Sequence, residues 1–151
     1  MRRVVFNQKG GVGKSTITCN LAAVNAAAGR KTLVVDLDAQ TNSTQYLLGG
    51  ARDGAHPNLA DYFQEMLSFK FSRREPHEFV HRTPYTMLDV LPAHRELDAL
   101  HDKLGAKYKI YKLRDALDSL PGYDDIFIDT PPALNFYTRS ALIAADTCLI
   151  P

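Results

Sequence analysis

The segment NQKGGVGKST at residues 7–16 constrains the fold of this chain more than any other. It follows a short β-branched and aromatic run, RVVF at 3–6, and it precedes an alanine-rich stretch that reads as a helix from Lys14, ended by Gly29. Glycines between a strand and a helix let backbone N–H groups approach phosphate oxygens, and the helix directs its positive end at the same anion. The segment therefore predicts a phosphate-binding loop.

The residues after the glycines have separate expected roles. Lys14 is expected to contact the β- and γ-phosphates of a nucleotide, Ser15 has the hydroxyl position suited to Mg²⁺, and Thr16 can donate to the α-phosphate. The strict pattern GxxxxGK[ST] would put glycine at position 8, where this chain has Gln8. It also has a second lysine, Lys9, which ordinary phosphate-loop chemistry does not explain.

Strands and helices alternate along the rest of the chain. Four further apolar runs read as strands: KTLVVDLDAQ at 31–40, TMLDVLPA at 86–93, YDDIFIDTPP at 123–132 and TCLIP at 147–151. Helices are expected within 43–50, 58–67 with Asn58 as N-cap, 95–104, 110–120 and 136–144, and residues 68–84 are expected to be irregular. This alternation predicts an α/β fold with a doubly wound, mostly parallel sheet flanked by helices, and a site at the carboxyl ends of the strands.

Acidic residues follow two of these strands. Asp36 and Asp38 stand two apart in VVDLD, so strand alternation predicts that they project together. Asp129 ends the run DIFID and is a candidate Walker B acid, which would hold Mg²⁺ directly or through water. Beside a phosphate loop, these carboxylates predict a magnesium-nucleotide site.

Four segments resemble one family, the deviant Walker A ATPases and, among them, the ParA-type plasmid and chromosome partition proteins. They are KGGVGKST at 9–16, VVDLDAQTNST at 34–44, DIFIDTPPAL at 125–134 and ALIAADTCLIP at 141–151. The resemblance implies an ATPase that uses ATP and Mg²⁺ and works as a homodimer with ATP sandwiched at the interface. It also implies a ParB-like centromere-binding stimulator and non-specific DNA binding by the full-length protein. Residues 1–151 are then expected to be the N-terminal part of a longer family domain.

The resemblance assigns roles to individual residues. Lys9 would reach the partner subunit's phosphates, much as an arginine finger does. Asp38 would orient the attacking water, and Asp36 would support it. The catalytic residues are then Lys9, Lys14 and Asp38, and the metal-binding residues Ser15, Asp38 and Asp129. The nucleotide-binding residues are Lys9, Gly10, Gly11, Val12, Gly13, Lys14, Ser15 and Thr16.

The second motif departs from the family pattern DxDPQxN. Ala39 stands where proline is usual, and Thr41 stands where glycine is common, whereas Gln40 and Asn42 are retained. The conformation of this segment is therefore a specific question for the structure.

Composition limits the other possibilities. A formal net charge of +1 gives no global electrostatic argument for a nucleic-acid or membrane partner, so such a partner would need a local patch. No apolar run approaches the roughly 18 to 20 residues of a membrane span. Cys19 and Cys148 are far apart, and we expect both to be small core residues of a reduced, cytoplasmic protein. The resemblance to the partition ATPases implies in addition that the protein is nucleoid-associated.

Other functions remain open from the sequence. HEFVH at 77–81 satisfies the zinc-protease pattern HExxH, although Pro84 curtails the helix that this motif needs. Within the same ATPase class, a MinD-like cell-division ATPase would need an amphipathic membrane helix, and a nitrogenase iron-protein relative would need cluster-binding cysteines. A cobyrinic acid a,c-diamide synthase type would share the loop and act as an ATP-dependent amidotransferase.

Overall fold

A computed structural model of the chain describes residues 1–50, 54–69 and 71–151. Its centre is a six-stranded sheet in the order β3-β4-β2-β5-β1-β6. The strands are β1 (Arg2–Val5), β2 (Thr32–Asp36), β3 (His81–Arg82), β4 (Leu88–Leu91), β5 (Asp125–Asp129) and β6 (Thr147–Leu149). All neighbouring strands run parallel except β3 and β4, which are antiparallel. The predicted mostly parallel sheet is confirmed.

In the described residues, six α-helices flank this sheet. They are α1 (Lys14–Ala27), α2 (Asn42–Leu48), α3 (Leu59–Leu67), α4 (Leu97–Ala106), α5 (Lys112–Asp118) and α6 (Phe136–Ala144). The predicted cap of α3 is confirmed, because the Asn58 side chain accepts a hydrogen bond from the Asp61 N–H and the Asp61 carboxylate accepts one from the Asn58 N–H. None of the helices in the described ranges is long and apolar enough to cross a membrane.

The two faces of the sheet carry separate cores. On β2, Leu33 and Val35 pack with α3 to α6, whereas Val34 between them packs with α1 and α2. This alternation follows from the period of two along a strand. Because both faces are covered, β2 and β5 are buried along their whole length, which is why each reads as an apolar run rather than an alternating pattern.

Two expectations from the sequence were wrong. The segment 68–84 is not wholly irregular, since Pro76–Phe79 forms a 3₁₀ turn and His81–Arg82 forms β3. A two-residue strand has too few positions to show alternation. Cys19 is buried as expected, but Cys148 is exposed because it lies on β6, the edge strand that pairs only with β1 among the described residues.

Candidate functional site

The loop between β1 and α1 has the backbone that a phosphate site requires. Gly11 and Gly13 have φ values of 73° and 86°, in the left-handed region that glycine adopts without a steric penalty. The Asn7 side-chain oxygen accepts a hydrogen bond of 2.9 Å from the Lys9 N–H. Helix α1 begins at Lys14, directly after Gly13, so its free N–H groups and positive end face the concave side of the loop.

Lys14 is a buried cation that makes no close contact with a carboxylate in the described part of the chain. Its side chain is only 7% exposed, and its ammonium donates one long hydrogen bond of 3.4 Å to the Lys9 carbonyl. It makes no ion pair in the part of the chain that the structure describes. Because a buried ammonium is costly unless it is paired, the position of Lys14 favours an anion in the space beside it.

That space is a cleft of about 410 Å³. Its lining combines the loop with the turn that follows β2. The lining residues are Gly10, Gly11, Gly13, Lys14, Ser15, Thr16, Asp38, Gln40, Asn42, Tyr46 and Pro132. The structure thus brings most of the predicted nucleotide-binding residues together with Asp38.

Asp38 places a carboxylate in this cleft. It is 8% exposed, and one carboxylate oxygen accepts a 3.0 Å hydrogen bond from the Gln40 N–H. Burial raises its pKa, while that N–H and the charge of Lys14 act in the opposite direction. A carboxylate with a raised pKa is a stronger base than one in water, which suits a group that orients and polarises a water molecule.

Asp36 has a different environment from Asp38. Strand β2 ends at Asp36, and Asp38 lies in the following turn, so the strand alternation on which the expectation for the two side chains rested does not extend to Asp38. The fully buried Asp36 carboxylate accepts hydrogen bonds from the Thr44 N–H (2.8 Å), the Thr44 hydroxyl (2.7 Å) and the Asp38 N–H (3.1 Å). Burial, and then the neighbouring Asp129 charge, raise its pKa to about 8. Asp36 therefore holds the turn that carries Asp38.

Asp129 lies opposite Asp36 in the register of β5 against β2. One of its oxygens accepts a 2.6 Å hydrogen bond from the Ser43 hydroxyl, and the other, Oδ1, is buried without a hydrogen-bond partner among the described residues. Burial raises the pKa of Asp129, and the nearby Ser15 hydroxyl lowers it. Ser15 makes no hydrogen bond to Oδ1. A buried, unpartnered carboxylate oxygen beside a serine hydroxyl fits a Mg²⁺ shell.

Ser43, Thr44 and Gln45 have no role that we predicted from the sequence. The first two bond the carboxylates of Asp129 and Asp36, and the Gln45 amide donates to the Thr41 hydroxyl at 2.9 Å. In the sequence these residues belong to a polar run, TNSTQ at 41–45, that follows Asp36 and Asp38 closely, and this run is the pattern that could have indicated their role. Side chains of this kind behind a metal or catalytic carboxylate orient it.

Lys9 lies outside this arrangement. It is exposed, makes no ion pair with a described residue and is not among the residues that line the cleft. Within one chain, its ammonium therefore does not serve the site that its own backbone helps to build.

The HExxH motif does not form the helix that zinc binding requires. Pro76–Phe79 is a single 3₁₀ turn, and His81 begins β3, where its Nε2 atom lies 2.7 Å from the Pro57 carbonyl. No group of three His, Cys, Asp or Glu side chains comes together as metal ligands within the described ranges. The zinc-protease interpretation is therefore wrong. Mg²⁺ at a nucleotide site needs fewer carboxylates, because phosphates and waters complete its shell.

Comparison with known sequences gives a family match over nearly the whole chain. A family profile described as an AAA domain matches residues 3–151. The chromosome partitioning protein ParA of Myxococcus xanthus is 40% identical over 149 residues, which cover 97% of this chain and 50% of that protein. The chain spans about half the length of the curated relatives that it matches.

Solved structures share the fold. Cobyrinic acid a,c-diamide synthase from Mycobacterium smegmatis, with bound ADP and magnesium, superposes with a TM-score of 0.88 at 32% identity and covers 99% of this chain and 58% of its own. A putative plasmid partition protein from Borrelia burgdorferi bound to AMPPNP gives a TM-score of 0.83 at 26% identity, covering 99% of this chain and 60% of its own.

Proposed function

Because this chain belongs to the AAA-domain family of P-loop ATPases, with the ParA-type partition proteins among its relatives, we propose that it binds and hydrolyses ATP in the segregation of a plasmid or chromosome. The observation that supports this most is that a buried Lys14 without an ion pair lines one cleft with Asp38. Asp129, with its unpartnered oxygen, is buried close enough to feel the charges of both residues. These are the charges that bound phosphates, an attacking water and Mg²⁺ require.

The residues present fit Mg²⁺. Ser15, Asp129 and Asp38 would hold it directly or through water, and the buried Oδ1 of Asp129 is the free ligand atom. When bound, Mg²⁺ would neutralise negative charge on the phosphates.

The chain's own residues bind and orient ATP. The N–H groups of residues 10–16 cradle the phosphates, and the Lys14 ammonium exchanges its long hydrogen bond to Lys9 for a phosphate oxygen. The Asp38 carboxylate accepts a proton from the attacking water. Asp36, held by Thr44, keeps the Asp38 turn in place through the Asp38 N–H.

Lys9 is proposed to act on a second subunit. It is exposed and absent from its own cleft, so two chains facing each other across ATP would place each Lys9 against the partner's phosphates. There it would add positive charge where phosphoryl transfer accumulates negative charge. On this proposal the protein is a slow ATPase, an ATP-dependent dimer that a ParB-like partner stimulates. The full-length protein would bind non-specific DNA and be cytoplasmic and nucleoid-associated.

The first test separates nucleotide binding from turnover. Replacing Lys14 with Ala should weaken ATP binding by about 100-fold, because it removes a charge-assisted contact with phosphate. Asp38→Ala should leave binding within a few fold and lower hydrolysis by about 100-fold or more. Calorimetry and phosphate release measure the two effects. Lys31→Ala, at a lysine that pairs with Asp89, is the matched control. Unchanged affinity in Lys14→Ala would refute the assignment of the loop.

A second test addresses Lys9. Lys9→Ala should leave monomer binding of ATP within a few fold while removing ATP-dependent dimerisation and hydrolysis. Mixing the Lys9→Ala chain with the hydrolysis-dead Asp38→Ala chain should partly restore activity, since each heterodimer has one site with its own Asp38 and its partner's Lys9. If confirmed heterodimers show no recovery, Lys9 does not act across the interface.

The structural similarity to cobyrinic acid a,c-diamide synthase supports a second candidate function, an ATP-dependent amidotransferase domain. The two functions differ in what the γ-phosphate is transferred to. Isotope-labelled water as a reactant decides between them: an ATPase incorporates the label into phosphate without any acceptor, whereas a synthase activates a carboxylate substrate and hydrolyses ATP only when that substrate is present.

A further inference from the structure

Residues 103–114, KLGAKYKIYKLR, concentrate positive charge on a chain that is nearly neutral. This segment has five cations and no acid, whereas the whole chain has a formal net charge of +1. We call it the cationic turn. It includes the end of α4, the connection that follows and the start of α5. Its cations are Lys103, Lys107, Lys109, Lys112 and Arg114.

Two buried leucines anchor the cationic turn. Leu104 is fully buried and Leu113 is 1% exposed, and both pack in the core shared by α3 to α6. None of the four lysines makes an ion pair with a residue in the described ranges, and Arg114 pairs only with the adjacent Asp115, at 3.4 Å. The turn therefore presents four lysine charges that no ion pair with a described residue neutralises.

Tyr108 has a left-handed backbone conformation that glycine would adopt with less strain. Its φ is 54°, and it closes α4 in a Schellman motif, with the Tyr108 N–H donating to the Gly105 carbonyl and the Lys109 N–H donating to the Leu104 carbonyl. A bulky residue in the left-handed region costs stability. Its side chain is 89% exposed, so the ring adds almost nothing to the core in return. An exposed ring at a strained backbone position indicates a role in binding and not in stabilising the fold.

A cleft of about 490 Å³ lies beside this tyrosine. Ile110, Leu134 and Phe136 supply apolar lining, and Arg139 supplies a positive charge without an ion pair to a described residue. One acid, Asp102, also lines the cleft, and its carboxylate lies 3.0 Å from His101. The combination of an apolar surface, an exposed ring and surrounding cations suits a flat aromatic group attached to a phosphate.

We propose that the cationic turn and this cleft bind single-stranded nucleic acid. The free lysines and Arg139 would contact the phosphate backbone, and Tyr108 would stack on a base whose face enters the cleft. Stacking on an exposed ring needs an unpaired base, which distinguishes this surface from one that only follows the backbone of a duplex. Tyr111, a second exposed ring in the cationic turn, lies under the Arg114 guanidinium, which is 4.9 Å from the ring centroid. This site is separate from the ATP cleft, and its test does not depend on ATP binding.

The test measures the fluorescence anisotropy of a labelled 15-residue oligothymidylate with the purified protein, without nucleotide, at several salt concentrations. We expect binding that weakens with salt and is tighter than to a duplex of the same length. Tyr108→Gly should weaken binding by about 10-fold, the effect of losing one stacked base. Thermal unfolding of this variant should show no loss of stability, because glycine relieves the strained φ. Tyr108→Phe keeps the ring and should bind like the parent.

Charge variants give a second readout. Lys107→Gln should lower the slope of log affinity against log salt by about 0.7, as expected for one phosphate contact on a single strand. Arg82→Gln removes one charge from β3, on the far edge of the sheet, and should leave the affinity unchanged. The proposal is overturned if the oligonucleotide does not bind, if the duplex binds as tightly, if only phosphatidylserine vesicles bind, or if Tyr108→Gly binds like the parent.

Discussion

Thr41 shows how one residue can be held in an unfavourable conformation at the site. Its φ of 58° lies in the left-handed region, where a β-branched side chain is a steric outlier, and it is only 1% exposed. The family motif commonly has glycine here. The fold compensates with two hydrogen bonds: the Thr41 N–H donates to the Asp38 carbonyl at 2.8 Å, and the Gln45 amide donates to the Thr41 hydroxyl. Thr41 thus helps to fix the turn that carries Asp38.

Substitution of Thr41 isolates the cost of this backbone conformation. Both Thr41→Gly and Thr41→Ala lose the hydroxyl and its hydrogen bond, but only glycine adopts a positive φ without strain. We expect the glycine variant to be more stable than the alanine variant by about 1 kcal/mol. At ordinary positions the order is reversed, because glycine gains more entropy on unfolding. Urea denaturation measures the difference, and a more stable alanine variant would show that the backbone there is not strained.

At the scale of the elements, one carboxylate joins β5 to β1 and to the residue pair that precedes β2, at the end of the sheet away from the cleft that contains Lys14 and Asp38. Asp125 is the first residue of β5, and its side chain is fully buried. It forms ion pairs with Arg3 of β1 and with Arg30, which lies just before β2. The distance from the Arg30 Nε to the Asp125 carboxylate is 2.5 Å. Burial alone would raise its pKa, but the hydrogen bonds and charges of Arg30 and Arg3 outweigh it, so the pKa of Asp125 lies below its ordinary 3.8. The ionised form therefore stabilises the fold.

This lowered pKa predicts a pH-dependent loss of stability. Asp125→Asn should lower the free energy of unfolding by roughly 1 kcal/mol at pH 7, a modest value because water screens both partly exposed arginines. A carboxyl with a depressed folded pKa contributes its full stability above the unfolded pKa and loses it as pH falls through the folded value. The difference between variant and parent should therefore shrink below about pH 4. Denaturant titrations at pH 3 to 7 test this, and a constant difference would contradict it.

At the scale of the whole molecule, the sheet separates one protected thiol from one accessible thiol. Cys19 lies in the core between α1 and the sheet, and burial raises its pKa to about 11. Cys148 is exposed on the edge strand β6, with a smaller rise in pKa from partial burial. Because only thiolates react quickly with disulfide reagents, burial and a high pKa both protect Cys19.

Thiol labelling should therefore have two phases. With Ellman's reagent at pH 8, we expect one thiol, Cys148, to react in the native protein and the second only after unfolding in guanidinium. Cys148→Ser should remove the fast phase and leave the slow one. Two fast thiols in the native protein would mean that Cys19 is not held in the core.

The sequence by itself determined the parts of this protein that depend on neighbouring residues. The order of strand, glycine loop and helix, the apolar runs buried on both faces and the Asn58 cap are all local patterns, and the structure has each of them. The same patterns predicted a doubly wound sheet with Lys14 and Asp38 at one cleft.

Tertiary structure decided the rest, because it sets which distant elements lie side by side. The hydrogen bond from Ser43 to Asp129 joins residues 86 positions apart. The different surroundings of Asp36 and Asp38 depend on where β2 ends, and the exposure of Cys148 depends on β6 lying at the edge of the sheet. No local pattern encodes these pairings, since burial and carboxylate partners arise only when β1, β2 and β5 align.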